Sequence, residues 1–547
     1  MQALHLTGND LTFADVSSVV YDRQPVILSS EARHAVERAR EVVEVLMDRP
    51  QPVYAVSTGV GKLSDVRIDP HQARELQVNL LRSHAVGVGE PLSEQETRAM
   101  MLLRANSLAK GFSGVRPALI DALCEMLNRG VHPVVPSQGS VGASGDLAPL
   151  AHLALVLIGE GEAVYAPSTR GRKARRAGES GEGARVSGAQ ALRRAEIKPL
   201  VLEAKEAISL INGTQAMLAV GSLALMNART MVESADVIGA LSLDALRGTD
   251  VAFDARIHQV RPHAGQIRTA ENLRLMLEGS AIRESHRACS RVQDAYSLRC
   301  MPQVHGAVRQ AIDHVAEVLE IELNSAVDNP LVFPATATRT SRGPEQAVSG
   351  APRTPAASAH QSYDDVILSG GNFHGEPLAC ALDYLGIALA SLAGISERRI
   401  ERLVNPSLNE GLPPFLAPDA GLNSGFMMAQ VTAAALVSEN KVLAHPASVD
   451  SITTSGNKED YVSMGMAAAL KLKRIVANTR AVLAIEALAA AQALDLLKPL
   501  TTSRRGQAAH VAIRAVSPML DRDRSLASDF DRIGDLITSG KIAEALR

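Results

Sequence analysis

Two long stretches near the C-terminal end, 426–441 and 462–498, place the strongest constraint on the fold. Both are rich in Ala, Leu and Met and contain few helix-breaking residues. Such stretches favour long helices that bury themselves against one another in a bundle. Apolar residues recur at helical spacing in further segments, for which we also predict helices: 31–47, 93–110, 116–129, 203–211, 214–235, 303–324 and 374–403.

The composition supports a helical protein rather than a β-sandwich. Hydrophobic residues make up 46% of the chain, mostly Ala, Leu and Val, whereas aromatic residues make up 3% and Trp is absent. Small aliphatic side chains favour packed helices. With 547 residues the chain can bury a large core. We predict a mainly α fold with a long central helical bundle, 116–547, and a smaller mixed N-terminal domain, 1–115.

A few segments interrupt the helical pattern. Strand-like pieces are short, namely Pro52–Val56 and the region around Val251–Phe253. Pro167–Arg194 is rich in Arg, Gly and Ser, and Pro334–His360 is rich in Thr, Pro, Ala and Ser. We predict both to be surface insertions or disordered loops. The apolar run Leu147–Ile158 is too short to span a bilayer, so we predict a buried helix there.

Charge and cysteine usage limit the partners that the chain can have. A net charge of −3 gives no indication of nucleic acid or of an acidic membrane surface. The four cysteines have no CxxC spacing, which indicates neither a disulfide framework nor a zinc site: Cys124, Cys289, Cys300 and Cys380. The first residues lack a basic segment followed by an apolar stretch, so we predict no signal peptide and a reducing, cytoplasmic location.

An Ala-Ser-Gly tripeptide, Ala143–Gly145, lies between further glycines directly before the predicted helix at Leu147. The tripeptide alone usually forms a turn, because glycine tolerates strained dihedral angles. If the backbone is bent tightly enough, the nitrogen of Gly145 can attack the carbonyl carbon of Ala143. Loss of two waters would then leave a methylidene-imidazolone ring (MIO), an electrophile that ordinary side chains lack. Asp146 stands where a Gly-x-Ser-x-Gly nucleophile elbow needs its closing glycine, so that motif is excluded.

Three further polar motifs precede predicted helices: Asn212–Gln215, Asn372–Pro377 and Asn423–Phe426. Asp146 is placed to cap the helix that follows the tripeptide. Helix N-termini carry unpaired N–H groups and partial positive charge, so several of them together would stabilise negative charge on a ring oxygen or on a substrate carboxylate. Each motif taken alone is better explained as an ordinary cap.

The run Gly139–His152, with these motifs in this order, resembles the active-site signature of the aromatic amino acid ammonia-lyases and aminomutases. The resemblance extends along nearly the whole chain. It implies an ammonia-lyase-like fold and a MIO ring formed from Ala143, Ser144 and Gly145. It implies no metal, nucleotide or external cofactor, and an amino acid as the substrate. It also implies a homotetramer whose active sites combine residues of several subunits.

Tyr54–Lys62 resembles the mobile inner loop of that family. The resemblance assigns Tyr54 as the catalytic base, which removes a proton from the weakly acidic β-carbon of the substrate. A phosphate-binding loop of the Walker A type is excluded, because Val56 stands at its first glycine and Leu63 at its Ser or Thr.

The same resemblance assigns residues that bind the substrate. Arg299 is expected to clamp the substrate carboxylate, since a guanidinium group pairs with a carboxylate through two hydrogen bonds. Gln293 and Tyr296 are expected to line the site, with Tyr296 close to the ring as a catalytic residue. Asn212 is expected to hydrogen-bond the substrate carboxylate or the ring. Phe373 is expected to pack against the substrate or the ring.

Two positions resemble the branch of the family that acts on histidine. The segment Ser83–Gly89 would place His84 against the substrate side chain, and Glu459 matches a glutamate of that branch. A carboxylate suits an imidazole N–H better than a phenyl ring. The resemblance therefore implies elimination of ammonia from L-histidine to give trans-urocanate. Lys458 and Tyr461 depart from the Gln and His that are usual there. Lys458 could pair with Glu459 or point away, and either outcome would alter the charge of the pocket.

Other functions remain open from the sequence. The substrate could be tyrosine or phenylalanine, or the enzyme could be an aminomutase that adds the ammonia back. A helical structural or binding protein without catalysis is disfavoured by the joint presence of Tyr54, Ser144, Arg299 and Glu459. A lyase of the fumarase and argininosuccinate type is disfavoured because its Gly-Ser-Ser loop and its Met-Pro-x-Lys run are absent: Met301–Val304 reads Met-Pro-Gln-Val.

Overall fold

Helices dominate the residues that the computed structural model describes, 1–47, 53–56, 58–64, 66–167, 184–289, 291–334 and 366–547. Within these ranges there are nineteen α-helices, numbered α1 to α19 in chain order. They are Phe13–Val20, Ser30–Met47, Ala73–His84, Glu94–Ala109, Pro117–Arg129, Leu147–Leu157, Gly188–Arg194, Glu206–Ile211, Gln215–Ala245, Ala255–Gln259, Ala264–Leu277, Ala281–Ser285, Tyr296–Arg299, Met301–Leu323, Glu376–Val404, Met427–Leu443, Gly465–Leu496, Arg504–Val516 and Ala527–Thr538. The prediction of a mainly α fold is confirmed.

Strands are short and form four small sheets within the same ranges. They are numbered β1 to β9: Leu4–Leu6, Val26–Leu28, Val88–Pro91, Val131–Pro133, Pro136–Gln138, Glu162–Tyr165, Arg185–Ser187, Leu331–Val332 and Ile367–Leu368. β1 and β2 are parallel, whereas β3–β5, β4–β6, β6–β7 and β8–β9 are antiparallel pairs. The β3–β5 pair matters for the site, because β5 leads directly into the loop that carries the Ala-Ser-Gly tripeptide.

The long helices α9, α14, α15 and α17 pack against one another at the centre of the fold. Residues 482–495 of α17 are all buried, so protein surrounds this part of the helix on every side. Many of these residues are alanines, whose small side chains let neighbouring helices approach closely. The main cluster of buried apolar residues extends from Leu6 to Ile542. The division into domains 1–115 and 116–547 stays a prediction.

A buried ion pair crosses the centre of the bundle. Arg399 of α15 and Glu486 of α17 are both fully buried, and the guanidinium group donates to both carboxylate oxygens, at 2.5 and 2.9 Å. Ser242 of α9 and Ser396 of α15 donate to the same carboxylate. Arg399 Nη1 also donates to the carbonyl oxygen of Ser297, at 3.3 Å. This network fixes α13 beside the C-terminal end of α15.

Two of the described helices, α15 and α17, are long and apolar enough to cross a membrane by length and composition alone. Within the fold, 61% of the most apolar window of α15 and 83% of that of α17 is buried. Packing in the bundle therefore accounts for the apolar character of both helices.

The predicted helices are all present, and α9 continues to Ala245 rather than ending near 235. The buried helix predicted at Leu147–Ile158 is α6. Helices α1, α3, α11, α18 and α19 were not predicted. Helix α1 is only eight residues long, so few apolar positions mark it. In α11, Arg268, Glu271 and Arg274 are spaced by three and lie on the side of the helix away from the core, where they shorten the apolar runs in the sequence.

Both strand-like predictions are wrong for the residues that the structure describes; Pro52, the first residue of one of them, lies outside these residues. Residues 54–56 form a turn in which Ala55 has a φ of +57°, in the left-handed region. Val251–Phe253 forms a 3₁₀ helix. A strand would place the side chains of Val251 and Phe253 on one face, whereas Val251 is 65% exposed and Phe253 is fully buried.

Part of the first predicted surface loop has regular structure. Arg185–Ser187 is strand β7, and Gly188–Arg194 is helix α7. Ser187 caps that helix by accepting a hydrogen bond from the backbone N–H of Gln190 at 3.3 Å. The remainder of the two predicted insertions, 168–183 and 335–360, lies outside the described residues.

Candidate active site

The loop 139–146 connects β5 to α6 and bends sharply at three glycines. Gly139, Gly142 and Gly145 have φ angles of +137°, +69° and +70°. These values lie in the left-handed region, which glycine adopts without the steric cost that a Cβ imposes. The Ala-Ser-Gly tripeptide therefore lies in a backbone segment that the sequence allows to turn back on itself.

Neighbouring helix starts hold this bend in place. The N–H of Met464, just before α17, donates to the carbonyl of Val141 at 2.9 Å, and Ser463 Oγ donates to the carbonyl of Gly142 at 3.1 Å. At the other end, Gly145 lies against Gly213, just before α9. A Cβ on Gly145 would lie 2.2 Å from the Gly213 oxygen, so only glycine fits there.

The tripeptide itself contacts two of the predicted site residues. Ser144 Oγ donates to Oε1 of Glu459 at 2.8 Å, and Asn212 Nδ2 donates to the Ser144 carbonyl oxygen at 2.8 Å. Ala143 and Gly145 are buried, whereas Ser144 is half-buried. The structure thus brings Ala143, Ser144, Gly145, Asn212 and Glu459 together.

Asp146 does not cap its own helix, contrary to the prediction. Its carboxylate accepts from Ser140 Oγ at 2.7 Å and from the N–H of Met217, in the first turn of α9, at 2.8 Å. Asp146 therefore caps α9 and joins that helix to the loop. Its complete burial raises the pKa of the carboxyl group from 3.8 to about 6, against the lowering effect of these hydrogen bonds.

Four helices begin around the loop: α6, α9, α15 and α17. The N–H of Gly375, just before α15, approaches the Gly142 carbonyl at 3.5 Å. Met217 Sδ lies 2.6 Å from the position of a Cβ on Gly375 and 2.5 Å from that on Gly465. The third predicted motif, before α16, is not part of this cluster, because the N–H groups of its Ser424 and Gly425 bind Asp523 instead.

The Tyr54 loop lies beside the Glu459 segment. The short 3₁₀ helices Gly61–Leu63 and Ser455–Asn457 contact each other, and a β-bridge joins Thr454 to Glu459. Within its own loop, the Tyr54 hydroxyl oxygen accepts from the N–H of Gly61 at 3.3 Å.

His84 ends helix α3, where its Nδ1 lies 2.8 Å from the Leu80 carbonyl oxygen. Three residues later, the N–H of Gly87 donates to Nε2 of His152 in α6, at 3.0 Å. Strand β3 then pairs with β5. The segment that carries His84 therefore borders both elements that flank the tripeptide loop.

The remaining pocket positions surround the start of α15. Phe373 is half-buried, two residues before Gly375. Tyr461 stacks on His374, with ring centroids 6.2 Å apart. Lys458 is exposed, and the second oxygen of Glu459 accepts from Thr454 Oγ1 at 2.7 Å.

Gln293, Tyr296 and Arg299 lie far from the tripeptide within one chain. Their segment is held by Arg399, 23 residues along α15 from Glu376. At a rise of about 1.5 Å per residue, this places them about 35 Å from the loop. The Arg299 guanidinium carbon lies 4.7 Å from the centre of the Tyr296 ring, and Tyr296 is 70% exposed. One chain therefore does not assemble all the predicted site residues.

Several residues around the loop were missed by sequence reasoning. Ser140, Gly213, Thr454 and Ser463 lie within the motifs or next to them, and only the fold shows their contacts. Arg104 lies in the middle of a predicted helix, and its pattern gave no signal. Among the described residues, no three His, Cys, Asp or Glu side chains are grouped in a way that could hold a metal ion.

Comparison with known proteins gives this architecture a family. The family model for aromatic amino acid lyases matches residues 11–515. The chain is 65% identical over 547 residues to a histidine ammonia-lyase of Koribacter versatilis (strain Ellin345), with all of both chains covered. The chain therefore belongs to the aromatic amino acid lyase family and is a carbon–nitrogen lyase. This confirms the family, the fold class and the enzyme class predicted from the sequence.

Solved structures agree with this assignment. The crystal structure of histidine ammonia-lyase from Trypanosoma cruzi is similar with a TM-score of 0.85 and 40% identity, covering 100% of this chain and 95% of that one. A tyrosine aminomutase from Streptomyces globisporus also has a TM-score of 0.85, with 37% identity and coverages of 100% and 98%. The fold alone therefore does not separate elimination from amine migration.

The raised pKa of Asp146 has a consequence for stability. The folded chain binds the Asp146 proton more tightly than the unfolded chain, so this group's contribution is greatest below about pH 4 and is lost as pH rises to about 6. The loss is about 3 kcal/mol at roughly 1.4 kcal/mol per pKa unit. We expect the free energy of unfolding in urea to fall by this amount between pH 4 and 7 in the wild type. This slope with pH should be absent in Asp146→Asn.

Asp521 offers a matched control, because its side chain is exposed. Asp521→Asn should keep the wild-type slope. The same slope in Asp146→Asn as in the wild type would contradict the role given to Asp146.

Proposed function

We propose that this lyase eliminates ammonia from L-histidine to give trans-urocanate. The observation that carries the proposal is the Glu459 carboxylate, which lies 2.8 Å from Ser144 Oγ. A carboxylate beside the reactive tripeptide accepts a hydrogen bond from an imidazole N–H, which a phenyl ring cannot offer. The relative from Koribacter versatilis, named a histidine ammonia-lyase, supports the same substrate.

The tripeptide fits the formation of MIO, because its bend is held from both sides and Gly145 has no Cβ to collide with Gly213. The nitrogen of Gly145 would bond to the carbonyl carbon of Ala143. The Ala143 oxygen leaves as water with the amide protons of Ser144 and Gly145. The Ser144 hydroxyl leaves as a second water with the Ser144 Cα proton. When formed, the ring supplies an electrophilic carbon, the former Ser144 Cβ, conjugated to the Ser144 carbonyl group and open to the substrate amine.

Asn212 is positioned to stabilise negative charge on the Ser144 carbonyl oxygen. Its Nδ2 already donates to that oxygen at 2.8 Å, and the side chain is 3% exposed. A donor that is fixed in a buried site before charge develops contributes more than one in water. We therefore assign Asn212 to the ring rather than to the substrate carboxylate.

Tyr54 is the proposed base for the substrate β-proton. Its loop lies beside the Glu459 segment, on the Ser144 side of the tripeptide loop. The Gly61 N–H donates to the Tyr54 hydroxyl oxygen at 3.3 Å, which holds the side chain within this loop. His84 and Phe373, on segments that border the loop, are proposed to contact the substrate side chain.

A second subunit would supply the missing part of the site. Gln293, Tyr296 and Arg299 lie about 35 Å from the tripeptide along the bundle, so we propose that they reach the tripeptide of a neighbouring copy in a homotetramer. Helix α16 supports this, because Met428 and Val442 are 63% and 73% exposed. Exposed apolar faces of this kind mark protein interfaces. Arg299 would then clamp the substrate carboxylate.

The cellular setting is also part of the proposal. All four cysteines are free thiols, which supports a reducing cytoplasm. The net charge of −3 supports a small-molecule substrate without a nucleic-acid or membrane partner.

Intact-protein mass tests whether the ring forms. The wild-type chain should be lighter than its encoded mass by two water molecules, whereas Ser144→Ala should have its encoded mass and no activity on L-histidine. The readout is mass spectrometry of the denatured chain, together with ultraviolet absorbance of the product. A wild-type chain at its full encoded mass would exclude MIO and the elimination proposed here.

Replacing Glu459 tests the substrate. Glu459→Gln removes the charge that strengthens the imidazole hydrogen bond, so kcat/KM for L-histidine should fall between about 10-fold and 100-fold. Lys458→Gln, at the exposed neighbour, should change it less than about threefold. L-Tyrosine and L-phenylalanine are assayed alongside, with chromatography for β-amino acid products. Unchanged histidine turnover in Glu459→Gln would rule out the proposed hydrogen bond between Glu459 and the imidazole. A β-amino acid product would indicate an aminomutase.

Mixing two inactive variants tests the shared site. Tyr54→Phe and Arg299→Ala should each be inactive, because each lacks one required group in every site. Co-expressed in equal amounts, they should recover about a quarter of the wild-type activity, since random assembly gives that share of sites both intact groups. Recovery is measured against each variant expressed alone. No recovery in mixed tetramers would place both residues in the same chain's site.

A further inference from the structure

Arg104 lies in the middle of α4, on the side of Gly213 that faces away from the tripeptide. Arg104 is fully buried, with 0% of its surface exposed to solvent. Its Nη1 donates to the Asn212 carbonyl oxygen at 3.0 Å and to Gln215 Oε1 at 2.7 Å. Both acceptors lie at the start of α9. The guanidinium group therefore ties α4 to both ends of the segment Asn212–Gln215, which leads into α9.

The tripeptide packs against this segment, at Gly213. Arg104 Nη1 lies 2.3 Å from the position of a Cβ on Gly213, so the guanidinium group occupies the space behind that glycine. On its other side, Gly213 accepts from the N–H of Asp146 at 2.7 Å and lies against Gly145. Arg104, Gly213 and Gly145 thus form three successive layers without room for an added methyl group.

The charge of Arg104 is retained in this setting. Burial lowers the pKa of its guanidinium group to about 10, and the nearby Asp328 carboxylate counteracts part of this effect. The group is therefore cationic at neutral pH. Its Nε and Nη2 have no hydrogen-bond partner among the described residues. A buried cation with unpaired donors is costly, whereas the two bonds that Nη1 makes both hold the turn beside the tripeptide.

We propose that Arg104 is a positioning residue for the reaction: it holds the Asn212–Gln215 turn so that Asn212 Nδ2 stays on the Ser144 carbonyl oxygen and Gly213 stays against Gly145. The inference rests on the proposed function, because it concerns formation and use of the MIO ring. Arg104 acts through Asn212 and Gly213.

Arg98 provides a matched control within the same helix. It is 1% exposed, its Nη1 donates to the Leu127 carbonyl at 3.1 Å and its Nη2 to the Val19 carbonyl at 2.6 Å. Burial lowers the pKa of its guanidinium group to about 10 as well. None of these partners belongs to the tripeptide loop or to the first turn of α9. A purely structural role of a buried α4 arginine should therefore be shared by Arg98 and Arg104.

The experiment compares Arg104→Met and Arg104→Lys with Arg98→Met and Arg98→Lys in the full-length enzyme. Three quantities are measured: the fraction of chains lighter by two waters, kcat and KM for L-histidine, and the thermal midpoint. We expect Arg104→Met to lower the fraction of ring-bearing chains, or kcat, by about 100-fold, as small misplacements in active sites do. Arg104→Lys should recover part of this loss, because it keeps the charge and one donor. KM should stay within about threefold.

Arg98 variants should lose a similar amount of thermal stability while kcat and the ring-bearing fraction stay within about threefold of wild type. If Arg104→Met does not fold, Arg104→Lys and Arg98→Lys carry the comparison. Equal kcat and equal ring-bearing fractions in the Arg104 and Arg98 variants, with a wild type that shows the mass loss, would overturn the role of Arg104 and leave the proposed function standing. A wild type without the mass loss would overturn both.

A double-mutant cycle tests the route through Asn212. In an Asn212→Ala background, Arg104→Lys should lower kcat by a clearly smaller factor than it does in the wild type, because one of the two groups through which Arg104 acts, the Asn212 Nδ2 donor, is gone. Independent effects of the two substitutions, multiplying in the double variant, would contradict this route.

Discussion

The contact between Gly145 and Gly213 is the constraint on which the site depends. A Cβ on Gly145 would lie 2.2 Å from the Gly213 oxygen, and a Cβ on Gly213 would lie 2.3 Å from Arg104 Nη1. The start of α9 can therefore press against the tripeptide only because both positions lack side chains. The same approach brings Asn212 within 2.8 Å of the Ser144 oxygen. The packing of whole helices therefore holds the bend in the backbone of the tripeptide.

Buried polar groups between the helices help to position the ends of these helices. Asp146 is fully buried and joins the loop to α9, although burial makes its ionised form costly. Arg399 and Glu486 form a buried pair that sets α13 at the far end of the bundle. Such groups are expensive to bury unless their hydrogen bonds are made. Each of them connects elements that are distant in sequence. Apolar contacts alone define the relative positions of such elements less precisely, because they are not directional.

Sequence patterns gave different amounts of information about different parts of the fold. A continuous apolar run predicted α17, because residues 482–495 are buried on all sides and leave a composition that indicates a buried helix without reference to its neighbours. Helix α15 was predicted from apolar residues at helical spacing, since one of its faces is exposed at Tyr384 and Ile387. The two strand-like pieces were wrong, since a few apolar residues do not show which way their side chains face. The cap assigned to Asp146 was wrong for a related reason. A local motif shows a hydrogen-bonding group but not the distant N–H that competes for it, here that of Met217.

The sequence by itself determined the helical class, the Ala-Ser-Gly loop with its glycines and the chemical types of the groups around it, because these depend on residue identity and short spacing. Only the tertiary structure decided which groups meet. It places Glu459 and Asn212 on Ser144, puts Arg104 behind Gly213, and leaves Arg299 about 35 Å from the tripeptide of its own chain. The physical reason is that helices are rigid rods: their packing fixes which distant ends coincide, and no local pattern carries that information.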